Sequence, residues 1–167
     1  TPTSLTPPVG AEVVRVETAG QMLEAVLKEF PACDALVMAA AVADFRPRNV
    51  AANKIKKEGG IPQVELEATE DILKAVAGLR GGTKRKQVVA GFAAESQSLL
   101  ENAANKLQSK KLDLIAANDI SAEDAGFSVE TNRITLLFAD GRRESLSLMS
   151  KNEAAEIIVE RIAALLE

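Results

Sequence analysis

The sequence predicts an α/β fold: a parallel β-sheet with helices on both faces, extended towards its carboxyl end by an antiparallel hairpin. Three observations lead there. The short, almost uninterrupted apolar runs Ala35–Ala40, Gln87–Phe92 and Leu112–Ala117 have the pattern of parallel strands covered on both faces. Segments of helical periodicity alternate with them. Beyond Ile134 the pattern changes to period-two alternation, in Ile134–Phe138 and Glu144–Met149, and Asp140-Gly141 between them is a hairpin signal.

Each element has a local reason. Thr1–Gly10 reads as a loop and Glu12–Val16 as a short strand. Thr18 opens a helix, because Gln21 three residues later completes a capping box. Met22, Leu23, Val26 and Leu27 give that helix its apolar stripe, and Pro31 lies just past its end. Ala43–Gly60 is a long polar connection closed by Gly59-Gly60, and long loops in compact domains are often functional. Val64–Leu66 alternates like an exposed strand, and Asp71–Leu79 reads as a helix. A basic turn, Gly81–Lys86, leads into the second buried run, and a helix around Leu99–Leu107 precedes the third. Ser150 with Glu153 forms another capping box. It starts a final helix with Ile157, Ile158, Ile162 and Leu165 on its apolar face.

Composition narrows the chemistry. With 167 residues and 47% hydrophobic content the chain can bury a core as one domain, residues 1–167. Its longest apolar run, Ala35–Ala43, is about half of what a spanning helix needs, which argues against a membrane. A single cysteine, Cys33, excludes an internal disulfide and makes a reducing cytoplasm the default location. A net charge of −4 argues against nucleic acid as the main partner. There are no histidines, tyrosines or tryptophans, so His-based general bases, His metal ligands and Ser-His-Asp triads are ruled out. What remains is Lys, Arg, Asp, Glu, Asn and backbone amides, a set suited to phosphate and nucleotide chemistry.

Ligands of open α/β sheets sit beyond the carboxyl ends of the strands. Three segments fall there. In Ala39-Ala40-Ala41-Val42-Ala43-Asp44 small residues permit close approach to the backbone. Asp44 either contacts a ribose, base or hydrated metal, or caps a turn. Lys54-Ile55-Lys56-Lys57 crowds three cations that an anion would neutralise, and it could equally be a solvated charge run. In Gly91-Phe92-Ala93-Ala94-Glu95, Gly91 allows close backbone approach, and Phe92 is either a stacking platform or core. Lys106 and Lys110, four apart, share a helix face and either follow phosphates or are surface lysines. Asn118-Asp119 ends the third apolar run, where it binds a ligand or starts a turn. Gly81-Gly82-Thr83-Lys84 lacks P-loop spacing, no G-x-G-x-x-G occurs, and Cys33 reads as packing.

In order and approximate spacing, Ala40-Ala41-Val42-Ala43-Asp44-Phe45, Lys54-Ile55-Lys56-Lys57, Gly91-Phe92-Ala93-Ala94-Glu95 and Leu112-Asp113-Leu114-Ile115-Ala116-Ala117-Asn118 together resemble the bacterial phosphopantothenoylcysteine synthetases. The likeness runs on through Gly126-Phe127 to the last hairpin and helix. It implies a Rossmann-like domain that uses CTP with Mg²⁺ to join 4′-phosphopantothenate to cysteine through an acyl-cytidylate. It places Ala39, Ala40, Asp44, Phe92, Lys106 and Lys110 around the nucleotide and makes Lys54 the catalytic lysine. Asp71 and Ile72 match the family's loop before a helix, although Thr69-Glu70-Asp71 stands where Asn-Pro-Asp is common. No residue is implied as a metal ligand. The resemblance also implies a homodimer, with the late strands contributing, and fusion to a flavin-dependent decarboxylase. The family's first strand and its phosphopantothenate-binding segment lie upstream of the match to Thr1, so a fragment lacking that strand–helix portion is expected. Two other readings compete: a non-enzymatic dimerisation module of the same fold, and a dinucleotide oxidoreductase, which the missing glycine fingerprint disfavours.

Overall fold

A computed structural model describes residues 6–51, 53–56, 61–80, 85–95, 97–121 and 129–167. Gly59-Gly60, Lys57, Gly81–Lys84 and Gly126-Phe127 lie outside the described residues.

Helix α1 (Ala19–Glu29) starts at the expected capping box: Gln21 N–H donates to Thr18 Oγ1 at 3.2 Å, and Thr18 N–H to Gln21 Oε1 at 3.1 Å. A 3₁₀ turn, Phe30–Ala32, leads to strand β1 (Ala35–Met38). Strands β2 (Phe45–Pro47) and β3 (Leu66–Ala68) pair as a separate antiparallel ribbon. Then come α2 (Ile72–Arg80), β4 (Val88–Glu95), α3 (Leu99–Ser109) and β5 (Leu114–Asp119). The chain ends with β6 (Thr131–Asn132), β7 (Ile134–Phe138), β8 (Arg143–Ser145), β9 (Met149–Ser150) and α4 (Lys151–Leu166).

The central sheet has the order β1-β4-β5-β7-β8. β1, β4 and β5 run parallel, while β7 adds to β5 antiparallel and β8 to β7 antiparallel, the hairpin extension the sequence predicts. The two central strands are apolar on both sides because both faces are covered. Val89, Ala93, Ile115 and Ala117 pack against α1, α2 and α3. On the other face, Val88, Ala90, Leu114 and Ala116 pack with Ile134, Leu136 and Phe138, under Ala154, Ile158 and Ile162 of α4. Three helices therefore cover one face and one helix the other.

Three local expectations change. Glu12–Val16 forms no strand with any described residue, and Val13 and Val14 are about half exposed. Among the described residues β1 is an edge strand rather than a doubly covered one, with β4 its one neighbour in the sheet and Val37 46% exposed. Glu144–Met149 is divided, since β8 pairs with β7 while Met149 pairs with Asn132 of β6. The Asp140-Gly141 turn forms as expected. Gly141 takes a φ of +90° and its N–H donates to Phe138 O at 3.0 Å, so glycine relieves the strain at that position.

Polar locks hold the amino ends of the parallel strands. Asp113 Oδ2 accepts Val89 N–H at 2.7 Å and Arg80 Nη2 at 2.7 Å. Arg80 also donates to the carbonyls of Lys111 and Gln87, at 2.8 and 2.6 Å. Buried Gln87 donates to Phe30 O at 2.7 Å and Cys33 O at 2.9 Å, tying the turn before β1 to the strand beside it. Asp113→Ala leaves one strand amide without its side-chain acceptor and one half-buried guanidinium without its ion pair. It is expected to destabilise the fold by about 3 kcal/mol, read as a lowered urea midpoint.

Glu144 carries a pH-dependent contribution. Its hydrogen bonds from Arg161, both at 2.8 Å, hold its pKa below the ordinary glutamate value of 4.5. A carboxylate with a depressed folded pKa stabilises the fold above its unfolded pKa, and that stability is lost as pH falls through the folded value. The urea midpoint is expected to decline on acidification below about pH 4.5. In Glu144→Gln the decline is expected to be shallower, with a lower midpoint at pH 7.

Candidate functional site

The carboxyl ends of β1, β4 and β5 open onto two adjoining cavities that share Ala40. Small side chains create the space, since Ala39, Ala40 and Ala41 leave β1 with nothing larger than a methyl group. The first cavity, about 450 Å³, is lined by Ala39–Ala41, Phe92, Lys106, Asn118, Asn132 and Lys151 among others. The second, about 420 Å³, includes Ala40, Asp44, Thr69, Glu70, Asp71, Ile72 and Lys110.

Eight of the nine site residues expected from the sequence thus line one bipartite crevice, the first cavity taking Ala39, Ala40, Phe92 and Lys106, the second Ala40, Asp44, Asp71, Ile72 and Lys110. Lys54 lines neither cavity. It is exposed, in the connection between β2 and β3. Phe92 is 37% exposed, so it belongs to the crevice wall rather than the core. Gly91 serves packing: a Cβ there would stand 2.7 Å from Leu112 Cδ1, so its lack of a side chain admits a core leucine rather than a ligand.

The ribbon fixes Asp44. Thr69 N–H donates to Asp44 O at 2.9 Å, and Thr69 Oγ1 donates to Ala43 O at 2.6 Å. Asp71 caps α2: its Oδ1 accepts Lys74 N–H at 3.1 Å, and its carbonyl accepts Ala75 N–H. Its other oxygen pairs with Lys110. Ile72 is 4% exposed, with its side chain in the core, so only its backbone, at the start of α2, is available to the cavity. The amino end of a helix presents unpaired N–H groups and a positive dipole end, which favour an anion.

Lys106 and Lys110 share a face of α3 as expected, and each is held by a carboxylate. Lys106 Nζ lies 2.6 Å from Glu95 Oε1. The Glu95 carboxylate also accepts Asn102 Nδ2 at 3.4 Å. An incoming polyanion would compete with Glu95 and Asp71 for these two cations. Asn132 and Lys151 are the wall residues sequence reasoning missed. They reach the first cavity through the two-residue pairing of β6 with β9 and the hydrogen bond from Lys151 N–H to Glu130 O at 2.9 Å. Segments that short carry no periodic signal.

These features define a class: a doubly covered α/β domain with a crevice at the strand ends whose walls carry both lysines and carboxylates. Comparison with known proteins gives the family. The chain belongs to the DNA/pantothenate metabolism flavoprotein C-terminal domain family, whose profile matches residues 1–166. It is 45% identical over 165 residues to the coenzyme A biosynthesis bifunctional protein CoaBC of Bacillus subtilis, covering 98% of this chain and 40% of that protein. The protein of the same name from Mycobacterium bovis is 41% identical over 169 residues, covering 97% of this chain and 40% of that one. A crystal structure of the C-terminal domain of a CoaBC superposes with a TM-score of 0.78 at 38% identity, covering 99% of this chain and 73% of that one. The chain therefore spans about two fifths of the length of the curated relatives named here.

Asp71 combines a helix cap with an ion pair, and substitution separates the two. Asp71→Ala is expected to cost about 1–2 kcal/mol of unfolding free energy. Asp71→Asn, which keeps a capping oxygen but not the charge on Lys110, is expected to cost less than about 1 kcal/mol. Chemical denaturation of both variants checks this.

Proposed function

We propose that this chain is the synthetase part of a coenzyme A biosynthetic enzyme, a ligase that joins 4′-phosphopantothenate to L-cysteine with CTP. The supporting observation is the bipartite crevice, in which the motif residues and two lysines converge where an α/β sheet binds its ligand. The names of the relatives and the order of the motifs point the same way.

In this reading a carboxylate oxygen of phosphopantothenate attacks the α-phosphorus of CTP, and the bond to the bridging oxygen breaks to release pyrophosphate. The cysteine amine then attacks the acyl carbon and CMP leaves. Lys106 and Lys110 offset phosphate charge, the α2 amino end with Asp71 and Ile72 orients an anionic group, and Phe92 offers a stacking face. By the family resemblance, Lys54, exposed on the ribbon connection, is the lysine that offsets charge on the departing pyrophosphate. Its ammonium stabilises the charge that develops there.

Among the described residues no group of three or more carboxylate, cysteine or histidine side chains forms a metal cage. A Mg²⁺ ion carried by the triphosphate would need only one or two protein carboxylates, and Asp44, on the wall of the second cavity, would be the one to hold it. When bound, the ion supplies charge neutralisation on the phosphates. The reading includes a homodimer, a cytoplasmic location and a full-length polypeptide that also carries a flavin-dependent decarboxylase domain. Among the described residues no helix is long and apolar enough to cross a membrane.

Calorimetric titration with CTP and with ATP in Mg²⁺ tests the reading. CTP is expected to bind more tightly than ATP, and Lys54→Ala or Lys106→Ala to weaken CTP by about tenfold, as expected for a lost charge-assisted contact. No binding of either nucleotide sinks the reading.

A further inference from the structure

The first cavity has a polar corner that the nucleotide reading does not use. Asn118 stands at the carboxyl end of β5, opposite Ala94 of β4 and Ile134 of β7. Its Nδ2 donates a long 3.4 Å hydrogen bond to Asn132 Oδ1. Its Oδ1 is buried and has no hydrogen-bond partner among the described residues. An amide oxygen in that condition needs a donor, since a buried acceptor without one costs about 1–3 kcal/mol. The last torsion of asparagine is soft, and turning this oxygen towards the cavity that Asn118 lines gives up the long Asn132 contact.

The same corner holds Lys151, half-buried at the first position of α4. Its ammonium makes no ion pair among the described residues, whereas Lys106 across the cavity is occupied by Glu95. The capping box between Ser150 and Glu153 already satisfies the helix start, so Lys151 is not needed to cap it. The corner thus wants two things of one ligand: an N–H donor for Asn118 and a negative charge for Lys151. Nucleotide phosphates offer only acceptors. An α-amino acid offers an amine and a carboxylate two bonds apart.

Resting on the ligase reading above, we propose that Asn118 and Lys151 form the seat of the amino-acid co-substrate. Lys151 binds the cysteine carboxylate, and Asn118 Oδ1 accepts an amine N–H so that the nitrogen lone pair stays free to attack. The pantothenoyl amide and its phosphate present similar chemistry, and the test separates the two sources.

The experiment uses the full-length polypeptide with CTP, Mg²⁺ and 4′-phosphopantothenate, and compares L-cysteine with cysteamine, which lacks the carboxylate. Lys151→Met is expected to reduce the cysteine-to-cysteamine ratio of kcat/KM by about tenfold or more, with Lys151→Arg recovering much of it. Asn118→Ala is expected to lower kcat/KM for both amines in parallel and to leave that ratio intact. An unchanged ratio in a folded Lys151→Met enzyme, or a rise confined to the KM for phosphopantothenate, overturns the proposal. Pyrophosphate release from CTP without any amine reports the first half-reaction. Its absence from the unmutated enzyme would refute the ligase reading itself and the amino-acid seat with it.

Discussion

Asp113 is where the sheet is fixed at one end so that the other end can open. Its carboxylate holds β4 through Val89 N–H, and its own backbone N–H returns a bond to Val89 O at 2.9 Å. Its carbonyl accepts Ala139 N–H from the hairpin, and its second link, to Arg80, secures the end of α2. One residue therefore sets the relative height of two parallel strands, a helix and the antiparallel extension. Arg80 and Asp113 are each mostly shielded from water, so the pair is stronger than an exposed one and costly to break from either side. With the amino ends held, the positions of Ala39, Phe92 and Asn118 at the other ends follow from strand length and register.

The crevice is electrostatically balanced rather than simply basic. Lys106 faces Glu95 and Lys110 faces Asp71, and this restrains the like-charge repulsion of two lysines one helical turn apart. The arrangement keeps the cations in place while allowing a polyanion to displace their carboxylate partners. Lys151 differs because no carboxylate among the described residues pairs with it, so the first cavity holds one paired and one unpaired lysine.

The β2–β3 ribbon follows a different logic. Arg46 and Arg48 bridge to Glu65 and Glu67 across it, but these pairs are largely exposed and each contributes little. Its attachment comes from backbone bonds at its base, Thr69 to Asp44 and Thr69 to Ala43. Phe45 and Leu66 remain more than half exposed on it. A short two-stranded ribbon is marginal by itself, so the bonds at its base, beside Asp44, are what attach it to the sheet.

The sequence by itself determined the layer order and most element positions. Two capping boxes, three apolar runs, of which two prove doubly covered, and one glycine turn act over a few residues, and short-range physics is enough to read them. Periodicity placed Ala39–Asp44, Phe92 and the paired lysines at strand ends or on one helix face as candidates, and the family resemblance singled them out, with Asp71 and Ile72, as site residues. The tertiary structure decided what depends on distant neighbours. Among the described residues it made β1 an edge strand, left Glu12–Val16 unpaired, gave the space at Gly91 to Leu112, and divided Glu144–Met149 between two sheets. It also brought Asn132 and Lys151 to Asn118. Those contacts join residues far apart in the chain through strands only two residues long, and no local pattern encodes a pairing whose energy comes from the rest of the fold.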